Sequence, residues 1–293
     1  MTLDEWRAGG RTFDYRGHAV FHRDQGSGPA LVCVHGFPTA SFDWHRLWGR
    51  LTAAFRVIAP DMLGFGFSAK PRPYAYSILE QATLHETLLA SLGVDRVVVL
   101  AHDYGDTVAQ ELLARFLARQ AEHTPGLAIR GVCFLNGGLF PEAHRARFIQ
   151  KLLASPLGPL LSRLANEASF RTSFAAIFGA NTQPSAAELR DFWRLISHDD
   201  GERIGHLLIR YMDERRRHRE RWVGALTNAT VPLRLIDGAD DPVSGRHMAD
   251  RYREVVPAPD VVVLDGIGHY PQIEDPDGVW RAFAEFAARL PAS

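Results

Sequence analysis

The sequence predicts an α/β protein with a mostly parallel central sheet, helices on both faces and an inserted helical cap. Three observations predict it. Short continuous apolar runs, among them Ala30 to Val34 and Val97 to Leu100, read as strands covered on both sides, and they alternate with segments of helical period. One run passes through Ala101-His102-Asp103-Tyr104-Gly105 directly into the apolar pattern of Thr107 to Leu113, which reads as strand, very tight turn, helix. From Leu139 to about Leu226 strand-like runs vanish and helical ones replace them.

Length and charge bound the rest. A chain of 293 residues fits an α/β domain of about 200 residues carrying an insertion, with a core from 1–138 and 227–293 and a cap from 139–226. Lys and Arg number 33 against 34 Asp and Glu, so no polyanion-binding face is indicated and a small-molecule substrate is expected, with no nucleic-acid partner. Cys33 and Cys133 lie inside apolar runs, as reduced core cysteines do, and imply neither disulfide nor metal site. No stretch reaches the ~18 unbroken apolar residues of a membrane span, and Met1 to Arg7 lacks a leader's apolar segment. The expectation is a cytoplasmic monomer or homodimer without a membrane partner.

In chain order, Thr12 to Arg23 alternates as an edge hairpin, and Gly26-Ser27-Gly28-Pro29 is a turn. The strand Ala30 to Val34 follows and ends in His35-Gly36-Phe37-Pro38. Ser41 to Phe55 has helical spacing, Arg56 to Ala59 is a strand, and Pro60 to Ser68 is a loop punctuated by Gly64 and Gly66. Ser77 to Leu92 is a helix leading back to the strand before Asp103. Ile129 to Leu135 is a further strand that stops at Asn136-Gly137-Gly138. In the cap, His144 to Ala154, Pro156 to Ala168, Ser185 to Ser197 and Gly201 to Arg221 read as helices. The basic run Arg215 to Arg221, interleaved with Asp213, Glu214 and Glu220, reads as a solvated helix face. Strands resume at Leu233 to Ile236 and Val261 to Leu264.

The chemistry concentrates where strands end. An aspartate at the apex of a strand-turn-helix corner is an anion without help from a base, suited to displacement at saturated carbon through an ester intermediate. A His-Gly-X-Pro turn after an earlier strand leaves the Phe37 amide to pair with that of Tyr104 as an oxyanion hole. The last two strands run into Gly238-Ala239-Asp240-Asp241-Pro242-Val243 and Gly268-His269. Nucleophile, acid and histidine thus follow one another in the order Ser…Asp…His known from one class of hydrolytic triad.

Together these segments resemble the α/β-hydrolases of the epoxide hydrolase and haloalkane dehalogenase branch, over nearly the whole chain. The resemblance implies that fold, a helical cap and catalysis without cofactor or metal. By position it implies Asp103 as nucleophile, His269 as base and Asp241 as the acid behind it, with Asp240 the runner-up one residue away. Phe37 and Tyr104 would form the oxyanion hole, and His35, Pro38, His102 and Trp193 would line the substrate pocket. Tyr211, the only tyrosine between Asp106 and Leu226, matches the second of two cap tyrosines that protonate an epoxide oxygen. Near Lys151, where the first would stand, there is none, and His144 or a water is left to replace it. The halide ligands of dehalogenases are absent: Tyr104 stands where tryptophan or arginine follows the nucleophile, and Phe37 where many carry asparagine. Trp193 or Trp222 would have to supply that donor. The reading is therefore an epoxide hydrolase; the alternatives are a haloalkane or haloacid dehalogenase and an inactive hydrolase fold that binds a ligand.

Overall fold

In the computed structural model, which describes residues 1–291, the apolar runs assemble into one eight-stranded sheet. Its strands are β1 (Arg11–Tyr15), β2 (His18–Gln25), β3 (Ala30–Val34), β4 (Arg56–Pro60), β5 (Arg96–His102), β6 (Ala128–Leu135), β7 (Leu233–Gly238) and β8 (Val261–Leu264). Their order is β1-β2-β4-β3-β5-β6-β7-β8. The β1–β2 hairpin joins β4 antiparallel, and every pairing from β4 to β8 is parallel. The continuous apolar runs are explained by burial on two sides. Val97, Val99 and Ala101 of β5 pack with helices Ile78–Ser91 and Tyr104–Glu122, whereas Val98 and Leu100 point to a second cluster with Trp6, Trp48, Val279 and Phe283. Cys33 and Cys133 are free and buried in that second cluster.

Some elements were not foreseen. A first helix, Leu3–Ala8, is capped by Thr2, whose hydroxyl accepts from the Glu5 amide, and it seats Trp6 against Phe42 and Trp48. Helices Arg246–Val255 and Pro276–Ala288 cover the two faces beside β7. The expected helix from Ser41 to Phe55 is interrupted: Ser41–Trp44 is a 3₁₀ turn and only Trp48–Ala54 is α-helical. Buried Asp61 accepts from both the amide and the hydroxyl of Ser41, at 2.8 and 2.5 Å, and so fixes the turn to the loop after β4.

Between β6 and β7 the described chain contains helices and no strand, but they are shorter than their sequence periodicity predicts. Phe148–Leu153 is all that forms of the first. The second divides into Gly158–Leu164 and Glu167–Ala175, the latter started by Asn166, whose side chain accepts from the Ser169 amide. The third, Ala186–Ser197, forms as expected. The fourth breaks into His198–Ile204, Gly205–Leu208, Tyr211–Arg217 and Arg219–Thr227. Asp199 and Asp200, between the third and fourth expected helices, adopt left-handed backbone at φ 53° and 54°, which separates the two. No described helix is long and apolar enough to cross a membrane.

The corner after β5 is close-packed. A Cβ placed on Gly105 would lie 2.3 Å from the Val34 carbonyl oxygen and 2.7 Å from that of His35, so the helix can start there only from a residue without a side chain. Gly105→Ala is therefore expected to lower stability by about 1–3 kcal/mol, read as a fall in the urea midpoint; an unchanged midpoint would show that the end of β3 yields freely.

Candidate active site

Asp103 sits at the corner with φ 48° and ψ −104°, a backbone conformation that costs on the order of 1–3 kcal/mol for a residue with a side chain. Three contacts of its own peptide hold it there. Its amide donates to the Leu135 carbonyl at 3.1 Å, and its carbonyl accepts from the Asp106 amide at 3.2 Å and from Arg215 Nη2 at 3.0 Å. The carboxylate is 3% exposed. Its Oδ2 accepts from the Phe37 amide at 3.1 Å and lies 3.9 Å from His269 Nε2. Tyr104 opens the helix, so its amide is among the four that a helix leaves without an internal acceptor. The Phe37 amide is thus at the carboxylate, and the Tyr104 amide opens the helix that follows it.

His269 follows β8, and its Nδ1 is 2.7 Å from Asp241 Oδ2. Asp241 is buried, while Asp240 is exposed, and the geometry chooses between them. The Asp241 carboxylate also accepts from the amides of Val243 and Ser244, the Ser244 hydroxyl and Asn136 Nδ2. So many donors keep it ionised, and it stays below the usual carboxylate range although burial opposes this. Asn136 was visible in the sequence only as the end of a strand. Its side chain also takes the Gly238 amide at 2.8 Å and gives to the Gly238 carbonyl at 3.1 Å, fastening the ends of β6 and β7 to each other under the acid.

Electrostatics follows from these contacts. Burial alone drives an imidazole toward neutrality, yet the carboxylates of Asp241 and Asp103 outweigh it and raise His269 to about 10. Burial likewise disfavours the Asp103 anion, but His269 and then Arg215 hold it well below the ordinary carboxylate range. The resting site is therefore carboxylate, imidazolium, carboxylate, with Arg215 as a second cation.

Arg215 departs from the expectation of a solvated basic face: it is 2% exposed, its Nε donates to Thr107 at 2.7 Å, and Nη2 lies 3.6 Å from Asp103 Oδ1. The rest of the run is exposed at Arg216, Arg217, Glu220 and Arg221 and half-buried at His218 and Arg219. Helical spacing could have revealed the exception, because Arg215 stands four residues after Tyr211 and shares its face. The Arg215 guanidinium lies 4.5 Å from the centre of the Tyr211 ring, and that ring is 5.0 Å from Tyr104 and 5.9 Å from Phe37. Tyr211 thus lies against both Phe37 and Tyr104. Its hydroxyl is buried without a hydrogen-bond partner, as are Arg215 Nη1 and both ring nitrogens of His144. Burial, then Asp103, raises the Tyr211 hydroxyl so that it remains a neutral donor, and His144 is pushed down to about 3 by burial and Arg215, leaving a neutral ring.

The remaining residues expected at the pocket lie around the site and in the cap. His35 lies beneath the site: Nδ1 is 2.8 Å from the Gly36 carbonyl and Nε2 accepts from the Met62 amide at 3.0 Å, so the ring ties the β3 turn to the loop after β4. His102 lies behind it, its Nε2 2.8 Å from the His269 carbonyl. Pro38, half-buried, forms a cis peptide with Phe37 next to the site. Trp193 packs on Phe170 with ring centres 5.7 Å apart, while its neighbour Phe192 turns inward toward Tyr270. Trp222 gives its N–H to Glu111 at 2.9 Å and so anchors helix Arg219–Thr227 to the core rather than facing Asp103. Glu274 is a further residue that sequence reasoning missed. Its carboxylate accepts from the amides of Gly179, Gly268 and Tyr270 and from the Thr182 hydroxyl, joining the loop that carries His269 to the cap. Among the described residues, no cluster of histidine, cysteine or acidic side chains could hold a metal ion.

Fold and geometry together define the class. The chain belongs to the alpha/beta hydrolase family, whose profile, described as alpha/beta hydrolase fold, matches residues 29–276. It is 45% identical to the mesoderm-specific transcript homolog protein of Bos taurus, over 97% of this chain and 87% of that protein. It is 43% identical to the putative hydrolase LipZ of Mycobacterium tuberculosis, over 99% and 98% respectively. Solved structures of similar fold include the haloalkane dehalogenase DatA from Agrobacterium tumefaciens C58, with TM-score 0.80, 19% identity and coverage of 96% of this chain and 97% of that one. The epoxide hydrolase CorEH matches with TM-score 0.77 and 21% identity, covering 95% and 98%.

The coupling of His269 to two anions is measurable. By NMR the imidazole is expected to lose its proton near pH 10 in the native protein, and in Asp103→Asn or Asp241→Asn to do so at lower pH, nearer an ordinary histidine, because each substitution removes one stabilising charge. An ordinary titration in the native protein would refute the ion pairing.

Proposed function

We propose that this hydrolase acts at saturated carbon through an alkyl ester on Asp103, and that its substrates are epoxides. The observation that supports it most is the Asp103 carboxylate itself, ionised and held at the corner by the Phe37 amide with His269 3.9 Å away. A carboxylate there needs no base to become a nucleophile.

The first half-reaction forms a bond from an Asp103 oxygen to an epoxide carbon and breaks that carbon's bond to the ring oxygen. The oxygen takes the Tyr211 hydroxyl proton as charge develops on it, and Arg215 beside the ring stabilises the phenolate. Esterification removes the negative charge of Asp103. With one of its two anions gone, His269 loses its hold on the extra proton and passes it through water to Tyr211. The neutral imidazole, oriented by Asp241, then takes a proton from water as that water attacks the ester carbonyl. The amides of Phe37 and Tyr104 stabilise the resulting oxyanion. Collapse expels the alkoxide, which takes the proton from His269 and leaves as the diol. The Asp103 acid returns its own proton to His269, and the resting ion pair is restored.

One observation favours a second reading, displacement of halide. Arg215 Nη1 is a buried cationic donor beside the nucleophile without a partner, and a departing halide would satisfy it. Neither reading calls for a cofactor or metal.

Three variants and one panel test the scheme. His269→Gln is expected to accumulate substrate mass on a peptide containing Asp103, with turnover reduced on the order of 10³-fold or more; Asp103→Ala should form no adduct. Tyr211→Phe should slow ester formation from epoxides by about 10²-fold and leave alkyl halides unaffected. A panel of styrene-type and aliphatic epoxides, haloalkanes and haloacids, with diol and halide both measured, decides between the readings. Normal turnover by His269→Gln, or label found elsewhere, would overturn the nucleophile assignment.

A further inference from the structure

Among the described residues the large hydrophobic side chains left exposed are Met1, Phe148, Ile149, Leu157, Leu160 and Leu164. All but Met1 fall in one short stretch of the cap, on the helices Phe148–Leu153 and Gly158–Leu164 and the turn between them. Phe148 is 77% exposed and Leu164 63%, whereas monomers that expose large apolar side chains normally scatter them singly. Charge is segregated in the same stretch. Arg145, Arg147, Lys151 and Arg163 lie between Glu142 and Glu167 with no acidic residue among them, in a chain whose total charge nearly cancels.

The exposure is built by the packing. The helix Gly158–Leu164 lies on the cap through its small residues. A Cβ on Gly158 would meet the Leu153 carbonyl at 2.2 Å and His206 at 2.9 Å, and the buried Ser162 hydroxyl accepts from the His206 amide at 3.1 Å. Gly158 and Ser162 are one turn apart on the inner face, so Leu157, Leu160 and Leu164 share the opposite one, with Arg163 at its edge.

We propose that this face docks peripherally on an anionic lipid surface, the leucines and Phe148 entering the headgroup boundary and the four cations meeting lipid phosphates. A second copy of the chain fits the face poorly: an isologous contact would set the same four cations against each other. Such docking departs from the expectation of no membrane partner, which rested on the lack of a spanning segment; this contact spans nothing. The stretch begins next to His144, which lies beside Arg215, so the docked face borders the site. The inference stands apart from the proposed reaction.

Vesicle sedimentation of the full chain tests it, with phosphatidylcholine vesicles containing phosphatidylglycerol and with phosphatidylcholine alone. The expected result is binding to the anionic vesicles that is about tenfold or more weaker on neutral ones and falls with added salt. Leu157→Ser/Leu160→Ser/Leu164→Ser should weaken it at least about tenfold, Phe148→Ser/Ile149→Ser should weaken it independently, and Lys151→Gln/Arg163→Gln should abolish most of the preference for anionic lipid. Thermal unfolding of each variant confirms that it folds. The proposal is overturned if the native chain stays in the supernatant, if both apolar variants bind as it does, or if the native chain is a dimer that the serine variant turns into monomer.

Discussion

A carboxylate kept ionised where almost no water reaches it is the constraint on which this structure turns. An isolated charge so buried costs several kcal/mol, and Asp103 avoids that cost only because three separate parts of the chain converge on it. The turn after β3 offers the Phe37 amide, the loop after β8 offers His269, and the cap offers Arg215. None of these groups is near Asp103 in sequence. Its positive φ is tolerated for the same reason, since the carbonyl exposed by that twist is the one Arg215 takes.

The surrounding acids make the same point by contrast. Asp106 and Asp43 are as deeply buried and carry few donors, and burial raises both well above the usual carboxylate range. Asp237 is pushed up to about 9 by burial, then by Asp241. Driven toward the neutral form, these side chains add less like charge beside Asp103 and Asp241. The two carboxylates that flank His269 are the ones their surroundings hold ionised, and the site responds to the loss of either one.

Much of this was legible in the sequence, for reasons that differ by element. The parallel strands stand out because burial on two faces demands unbroken apolar runs, and the corner stands out because Gly105 must pass close to β3. Asp103, His269 and Asp241 were readable from strand ends and chain order. Arg215, Asn136 and Glu274 were not, because each acts by joining segments that meet only in the folded chain. Arg215 was further hidden inside a charged run whose other members face solvent. Helix boundaries in the cap failed for a local reason: amphipathic periodicity runs on from Gly201 to Arg221, whereas the backbone leaves helical geometry within that span, as at His218 with φ −104° and ψ 17°. For the cap tryptophans sequence gives no way to tell binding from anchoring: Trp193 packs on Phe170, and Trp222 gives its N–H to Glu111.

Asp103, His269, Tyr211 and Arg215 are each no more than 3% exposed, and the loop that carries His269 is fastened to the cap beside them. One oxygen of Glu274 accepts hydrogen bonds from Gly268 on that loop and from Gly179 and Thr182 across the seam, and the His269 amide itself donates to the Ile177 carbonyl at 2.8 Å. Parting that seam would strand several buried donors at once and pull the imidazole off its axis. The orientation of His269 is therefore coupled to the position of the cap segment 177–182.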